Sequence, residues 1–427
     1  MDISHIHSLF LKCNSVSIDT RKIESGSLFV AIKGENFDAN TFAKEAIEKG
    51  ASYVIIDNEK YYLDERTIVV EDSLVALQEL AKYHRHYLKL PIIALTGSNG
   101  KTTTKELINV VLSQKFKTKA TVGNLNNHIG VPLTLLTFDS ETEIGIVEMG
   151  ANHQKEIEFL CEIAQPNYGY ITNFGKAHLE GFGGVEGVIK GKSEMYNYIA
   201  ANSKLAFINL EDKIQVEKSK AFRYYSFGIN KENANVNISS IKANPFVEIN
   251  FSDMEIQTHL IGLYNANNIN AALTVGKYFG VENADIKTAL ESYIPENNRS
   301  QLLSKETNQI ILDAYNANPS SMAVAIENFL QLDDSNKILI LGDMFELGED
   351  SFNEHKTIVN LLLNQKDITV YFVGREFFKH QISSNGLHFF ETFDACSECL
   401  KGLKIENSSL LIKGSRGMAL ERTLQFL

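Results

Sequence analysis

The segment IIALTGSNGKTTT, residues 92–104, constrains this 427-residue chain more than any other. A short apolar run ends in a glycine-containing turn, and Lys101 with three threonines then opens a helical stretch. Strand, turn and helix in that order make an anion cradle, because the turn's N–H groups and the positive helix end face the anion. A lysine there neutralises terminal phosphates, and a hydroxyl at the place of Thr102 can hold a magnesium ion. The spacing departs from the general phosphate-loop pattern, which has a glycine five residues before Gly100. That position is Leu95, and the nearer glycine is Gly97. The order of elements still predicts an ATP site built from Gly97, Ser98, Asn99, Gly100, Lys101, Thr102 and Thr103.

The length exceeds the roughly 250–300 residues at which single cores stop growing, so two or three domains are expected. Apolar runs alternate with helical patterns throughout, which predicts an α/β fold with a mostly parallel sheet around the cradle. Residues 74–88 carry helical spacing and lead into Pro91, which sets a first boundary near residue 88. The polar, proline-containing stretch IPENNRSQ suits a second linker, giving units 1–88, 89–296 and 297–427. Short alternating runs in 204–258 predict some antiparallel sheet within the middle unit. Beyond the linker, NQIILDAY, KILILGD, ITVYFVG and SLLIKGS read as the strands of a doubly wound, Rossmann-like unit.

Charge narrows the partners. With 41 basic and 53 acidic residues the net charge is −12, which disfavours broad nucleic-acid or anionic-membrane binding. No stretch approaches the roughly 18–20 apolar residues of a membrane span. The start, MDISHIHSLFLKCNSVSIDT, lacks a basic head followed by a long apolar run, so the cytoplasm is the expected setting. Cys396 and Cys399 form a CxxC, yet no second pair or nearby histidine pair completes a zinc set. Half-buried helix positions are expected for both.

Three kinds of group must meet in an ATP-dependent enzyme: phosphate donors, metal carboxylates and substrate anchors. Glu148 ends the strand IGIVEM, where an acid can hold magnesium opposite Thr102. His178 follows the strand YGYITN in a glycine-rich loop. Lone histidines are more often structural, but a place after a strand end points this one toward function. In the helix predicted over 186–199, Lys190 and Glu194 are four apart and pair on a solvated face, while Lys192 points away toward the site. Asn124, Asn126, Asn127 and His128 cluster between two glycines and read as a substrate-binding loop. The turns DAYNANPSSM and LGDMFELGEDSFNEH each follow a strand and are expected to build one concave polar pocket. For either turn alone, helix capping by Asp or Asn is the plainer account.

Together TGSNGKTTTKE, VGNLNNHIGVP, EMGANH, AHLEGFGG with KGKSE, DAYNANPSSM, LGDMFELG and GSRGM resemble the Mur ligases. Within that family YNANP and GDMxELG most resemble the branch that adds D-alanyl-D-alanine. The likeness covers nearly the whole chain. It implies an N-terminal unit for a UDP-sugar, a central ATPase and a C-terminal unit for the incoming amine. It also implies the substrates, UDP-N-acetylmuramoyl-tripeptide and D-Ala-D-Ala, and a product destined for peptidoglycan. A monomer is the expected state. Carried over by residue, the resemblance gives Lys101 and the amides of residues 98–102 to the phosphates. Thr102 and Glu148 go to one Mg2+, and His178 to a second. Lys192 matches a lysine carbamylated by CO2. Asn268, Arg299 and Asp313 match nucleotide contacts, and Tyr315, Asn316 and Asn318 face the dipeptide. Asn124 and Asn127 remain with the substrate loop, and Thr20, Arg21 and Lys33 are candidates for the UDP end. Tyr264, Gly191-Lys192-Ser193 and Asn298-Arg299 depart from commoner family residues without removing a needed functional group.

Overall fold

The computed structural model describes residues 2–296, 298–333 and 336–427. Asn297, the first residue assigned to the third unit and part of the expected linker, lies outside them. Among the described residues, three main sheets of four, nine and six strands organise the chain.

The first sheet is parallel throughout, in the order Val16–Ser17, Leu28–Val30, Tyr53–Ile56, Thr67–Val69. Leu28, Phe29 and Val30 are all buried, as a strand covered on both faces requires. The helix Ser73–Leu88 starts where the Asp72 side chain accepts the Val75 N–H at 2.8 Å. It stops at Lys89, whose φ of 55° is left-handed, just ahead of Pro91. Arg85 donates to the carbonyls of Ala164 and Gln165 at 3.1 and 3.2 Å, which terminate the helix Glu156–Ala164.

In the nine-stranded sheet, Ile92–Thr96 lies between Tyr168–Ile171 and Ile144–Glu148, all parallel. Every residue of Ile92–Thr96 is buried. The carboxyl ends of three neighbouring strands therefore open on one crevice, where open α/β sheets bind ligands. The expected antiparallel part is present as Val236–Ala243, Phe246–Phe251 and Met254–Ile261, while Leu205–Asn209 and Arg223–Ile229 pair parallel.

The third sheet runs Gln301–Lys305, Asn308–Asp313, Ser409–Lys413, Lys337–Gly342, Ile368–Val373, Leu387–Phe390. Only its first pair is antiparallel. Ser409–Lys413 sits between strands that precede it by about a hundred and about seventy positions, which is the switch point of a doubly wound sheet. Asp313 and Lys413 thus end side by side. Cys396 is buried and Cys399 half-buried on the helix Phe393–Lys401, as expected for packing residues.

Candidate active site

A cavity of about 1260 Å³ lies where the middle and third units meet. Its walls include Ser98 to Thr103, Asn124, Asn126, Asn127, His128, Glu148, His178, Asn268, Arg299, Asp313, Tyr315, Asn316 and Asn318. Most residues singled out in the sequence therefore share one space. Gly97, Lys192, Thr20, Arg21 and Lys33 do not line it.

Gly97 shapes the loop from behind. Its φ is +143°, and a Cβ there would meet the Thr172 hydroxyl at 2.0 Å. Gly100 has φ +77°, and a Cβ would come within 2.5 Å of Asn268 Oδ1. Both positions require glycine. The helix Lys101–Leu112 follows without a side-chain cap, so its first N–H groups face the cavity open to an anion. Lys101 Nζ folds back on the carbonyls of Gly97 and Ser98 at 2.7 and 3.2 Å. Burial pushes its pKa down; Glu148 opposes that shift and Arg299 adds to it. Asn268 wedges behind the loop, accepting from the Thr104 hydroxyl at 3.0 Å and donating to Asn265 at 2.8 Å.

Glu148 is 2% exposed. One carboxylate oxygen accepts from Asn126 Nδ2 at 2.8 Å, while the other is buried with no partner. Such an orphan is costly unless a cation completes it. Among the described residues no group of three or more His, Cys, Asp or Glu is arranged for a metal. Asn126 belonged to the predicted loop, but its service to Glu148 depends on a strand twenty-two residues away and is invisible locally. Asn127 accepts the Ile129 and Gly130 N–H groups, so it also builds the turn into the helix Gly130–Leu135.

Lys192 is fully buried on the helix Val185–Ala201. Its Nζ donates to the carbonyl of Ala151 at 3.0 Å, a residue of the cavity wall, and lies 4.9 Å from the Phe182 ring centroid. Desolvation, then the Lys101 charge, hold its pKa well below the usual lysine value. Glu194, expected beside Lys190 on a solvated face, is instead buried. It accepts the N–H groups of Lys155 and Glu158 at 2.6 and 3.1 Å, where a carboxylate favours a helix start. That helix begins at Glu156, because Glu156 takes the N–H groups of Asn152 and His153 and holds them in a turn.

The third unit contributes the DAYNANP turn. Asn318 caps the helix Pro319–Leu330 in a reciprocal box with Ser321. Its Nδ2 also donates to Asn99 Oδ1 at 2.7 Å, joining this turn to the phosphate loop. Arg299 lies 3.6 Å over the Tyr315 ring. Asp313 accepts the Ser300 N–H at 3.1 Å and pairs with Lys413, a wall residue the sequence reading missed although it ends a strand. The LGDMFELG turn corrects the expectation of a joint pocket: it does not line the cavity. Asp343 accepts the Glu376 and Phe377 N–H groups at 3.0 Å, and Glu346 reaches His178. Thr20, Arg21 and Lys33 sit in the first unit. Arg21 pairs with Asp19 at 2.8 Å while largely exposed, and Lys33 lies in a small exposed hairpin.

A strand-turn-helix phosphate cradle, an acid with one unpartnered oxygen and a second unit closing over both define a nucleotide-dependent ligase fold. Family models agree. The Mur ligase catalytic domain matches residues 12–85, the Mur ligase middle domain 95–276, and the Mur ligase glutamate ligase domain 298–416. The chain belongs to the Mur ligase family. Among its relatives, the UDP-N-acetylmuramoyl-tripeptide–D-alanyl-D-alanine ligase of Bacillus subtilis is 34% identical, over 97% of this chain and 93% of its own. A crystal structure of MurF from Acinetobacter baumannii superposes with a TM-score of 0.87 at 31% identity, covering 99% and 97% of the two chains. MurF from Thermotoga maritima, crystallised with ADP, gives 0.84 at 27% identity, covering 98% and 97%.

Proposed function

We propose that this chain is an ATP-dependent peptide ligase that joins D-alanyl-D-alanine to UDP-N-acetylmuramoyl-tripeptide, in the cytoplasm and as a monomer of three units, 1–88, 89–296 and 297–427. A carboxylate oxygen of the tripeptide attacks the γ-phosphorus of ATP, and ADP leaves. The dipeptide amine then attacks the acyl carbon, phosphate leaves, and the nitrogen loses a proton. The contact that carries this reading is Asn318 to Asn99, because it sets the turn assigned to the amine against the loop assigned to the phosphates.

The roles are those that the family resemblance assigns. Backbone amides of 98–102 and Lys101 hold the β- and γ-phosphates, and Arg299 and Asp313 hold the nucleotide from the third unit, with Asn268 toward the adenine. Thr102 and the free oxygen of Glu148 hold one Mg2+, which when bound screens the charge between carboxylate and phosphate. His178 takes a second. The lowered pKa of Lys192 favours the unprotonated amine that carbamate formation needs: CO2 adds to that nitrogen, a proton leaves, and the side chain becomes an anionic ligand. Tyr315, Asn316 and Asn318 receive the dipeptide, Asn124 and Asn127 the acceptor peptide, and Thr20, Arg21 and Lys33 the UDP end.

The test is a phosphate-release assay with purified protein and acceptors bearing lysine or diaminopimelate third. Release is expected only when ATP, the UDP-muramoyl tripeptide and D-Ala-D-Ala are all present. Equal turnover with ATP alone would replace ligation by a binding module.

A further inference from the structure

The LGDMFELG turn has chemistry that the cavity does not use. Glu346 holds a left-handed φ of 60° and His178 one of 53°, and the two meet across the boundary between the middle and third units. The Glu346 carboxylate bonds His178 Nδ1, and the Glu346 carbonyl accepts the Glu180 N–H at 3.4 Å. Gly348, two residues on, packs against Glu180: a Cβ there would lie 3.1 Å from the Glu180 Cβ. The His178 ring lines the cavity with its side chain 19% exposed. Nε2 has no partner among the described residues, and Nδ1 is taken.

We propose that Glu346 is a positioning residue for the ligation. Docking of the third unit sets its carboxylate on Nδ1–H of His178 and leaves the Nε2 lone pair facing the cavity. This rests on the ligase reading above. The physical warrant is that a carboxylate on one imidazole nitrogen fixes both the tautomer and the ring plane, and so decides what the other nitrogen can bind. Because the carboxylate comes from a different unit, the imidazole is set for a ligand only when that unit is docked on the middle one. Premature commitment of the nucleotide is then disfavoured by geometry.

The experiment combines histidine-15N NMR of the full chain at pH 8 with steady-state kinetics. In the wild type the proton facing Glu346 is expected on Nδ1 of His178, with Nε2 free of one. A proton on Nε2, alone or with Nδ1, overturns the proposal without any variant. Glu346→Ala is expected to move the proton to Nε2 and lower kcat by about 10–100-fold, with KM for ATP little changed. Glu346→Gln keeps an acceptor for Nδ1–H and recovers most of that loss. Lys176→Ala removes a half-exposed pair to Glu354 across the same boundary and is expected to lower kcat by less than about five-fold. Equal losses for Glu346→Ala and Lys176→Ala, with the tautomer unmoved, would reduce Glu346 to an ordinary docking contact. If wild-type protein releases no phosphate with all three substrates, it is the ligase reading that fails, whatever the tautomer.

Discussion

At the scale of single residues, the site keeps groups that folding alone would not choose. Lys192 shows the conflict most clearly. Burial, then the Lys101 charge, lower the pKa of its amine in the folded protein, while the unfolded chain carries an ammonium up to a pKa near 10.5. A lowered folded pKa means the unfolded state binds the extra proton, so the native state is penalised as pH falls below about 10.5. Lys192→Met removes that penalty with a side chain of similar length. Its melting temperature is expected to rise by roughly 2–4 °C while turnover falls by more than about 100-fold. Calorimetry and the phosphate assay check the two halves, and a destabilised variant that keeps turnover would remove Lys192 from the site. The orphan oxygen of Glu148 and the glycine-only φ values at Gly97 and Gly100 belong to the same class of local cost.

At the scale of elements, Asn318 serves two neighbours that substitution can separate. Asn318→Ala loses the helix cap, worth about 1 kcal/mol, and the bond to Asn99. Asn318→Asp still accepts the Ser321 N–H but has no donor for Asn99. The aspartate variant is expected to keep the melting temperature and lose turnover, whereas the alanine variant loses both. A second test concerns the packing of the helices Ile3–Phe10 and Ser73–Leu88. His84 Nε2–H donates to the Phe138 carbonyl at 2.8 Å, and one proton is shared between its Nδ1 and His7 Nε2, 3.0 Å apart. Burial, then His84, push the His7 pKa down from 6.5 to about 4. Asp139 favours protonated His84, but burial outweighs it. With the folded pKa depressed, stability is full above about 6.5 and declines as pH falls toward about 4. His7→Phe is expected to show a shallower fall in melting temperature across that window, and an unchanged slope would count against the buried pair. These elements also show what a sequence discloses. The cap at Asp72 and the phosphate turn at Gly100 are written within a few positions. The partner of Glu194 lies nearly forty residues away, so local spacing assigned that carboxylate to solvent.

At the scale of the whole molecule, legibility ended where the units meet. DAYNANP and LGDMFELG looked alike on paper, as polar turns at strand ends. The fold sends the first into the cavity and the second onto His178, a separation that depends on which sheet edge faces the middle unit. The polar contacts across that boundary include Asn99 to Asn318, Lys176 N–H to Ser320 at 2.9 Å, Lys176 to Glu354 at 2.6 Å, His178 to Glu346, Glu180 N–H to the Glu346 carbonyl at 3.4 Å, and Tyr264 to Ser300 at 2.9 Å. Exposed polar pairs are worth at most about 1 kcal/mol each, so a docking equilibrium that ligands can shift is the expectation to test. Removing two of them should expose it. The double variant Lys176→Ala, Glu346→Ala is expected to show a larger radius of gyration by X-ray scattering in the absence of ligands. A non-hydrolysable ATP analogue with the UDP-muramoyl tripeptide should restore the wild-type value if the nucleotide contacts proposed for Lys101 and Arg299 replace the lost pairs. About 1.4 kcal/mol of lost docking changes the closed-to-open ratio ten-fold, enough to move the mean radius only if the open form is already within a few kcal/mol. An unliganded double variant as compact as the wild type would therefore place the open form more than a few kcal/mol above the docked one and count against a docking equilibrium that ligands shift.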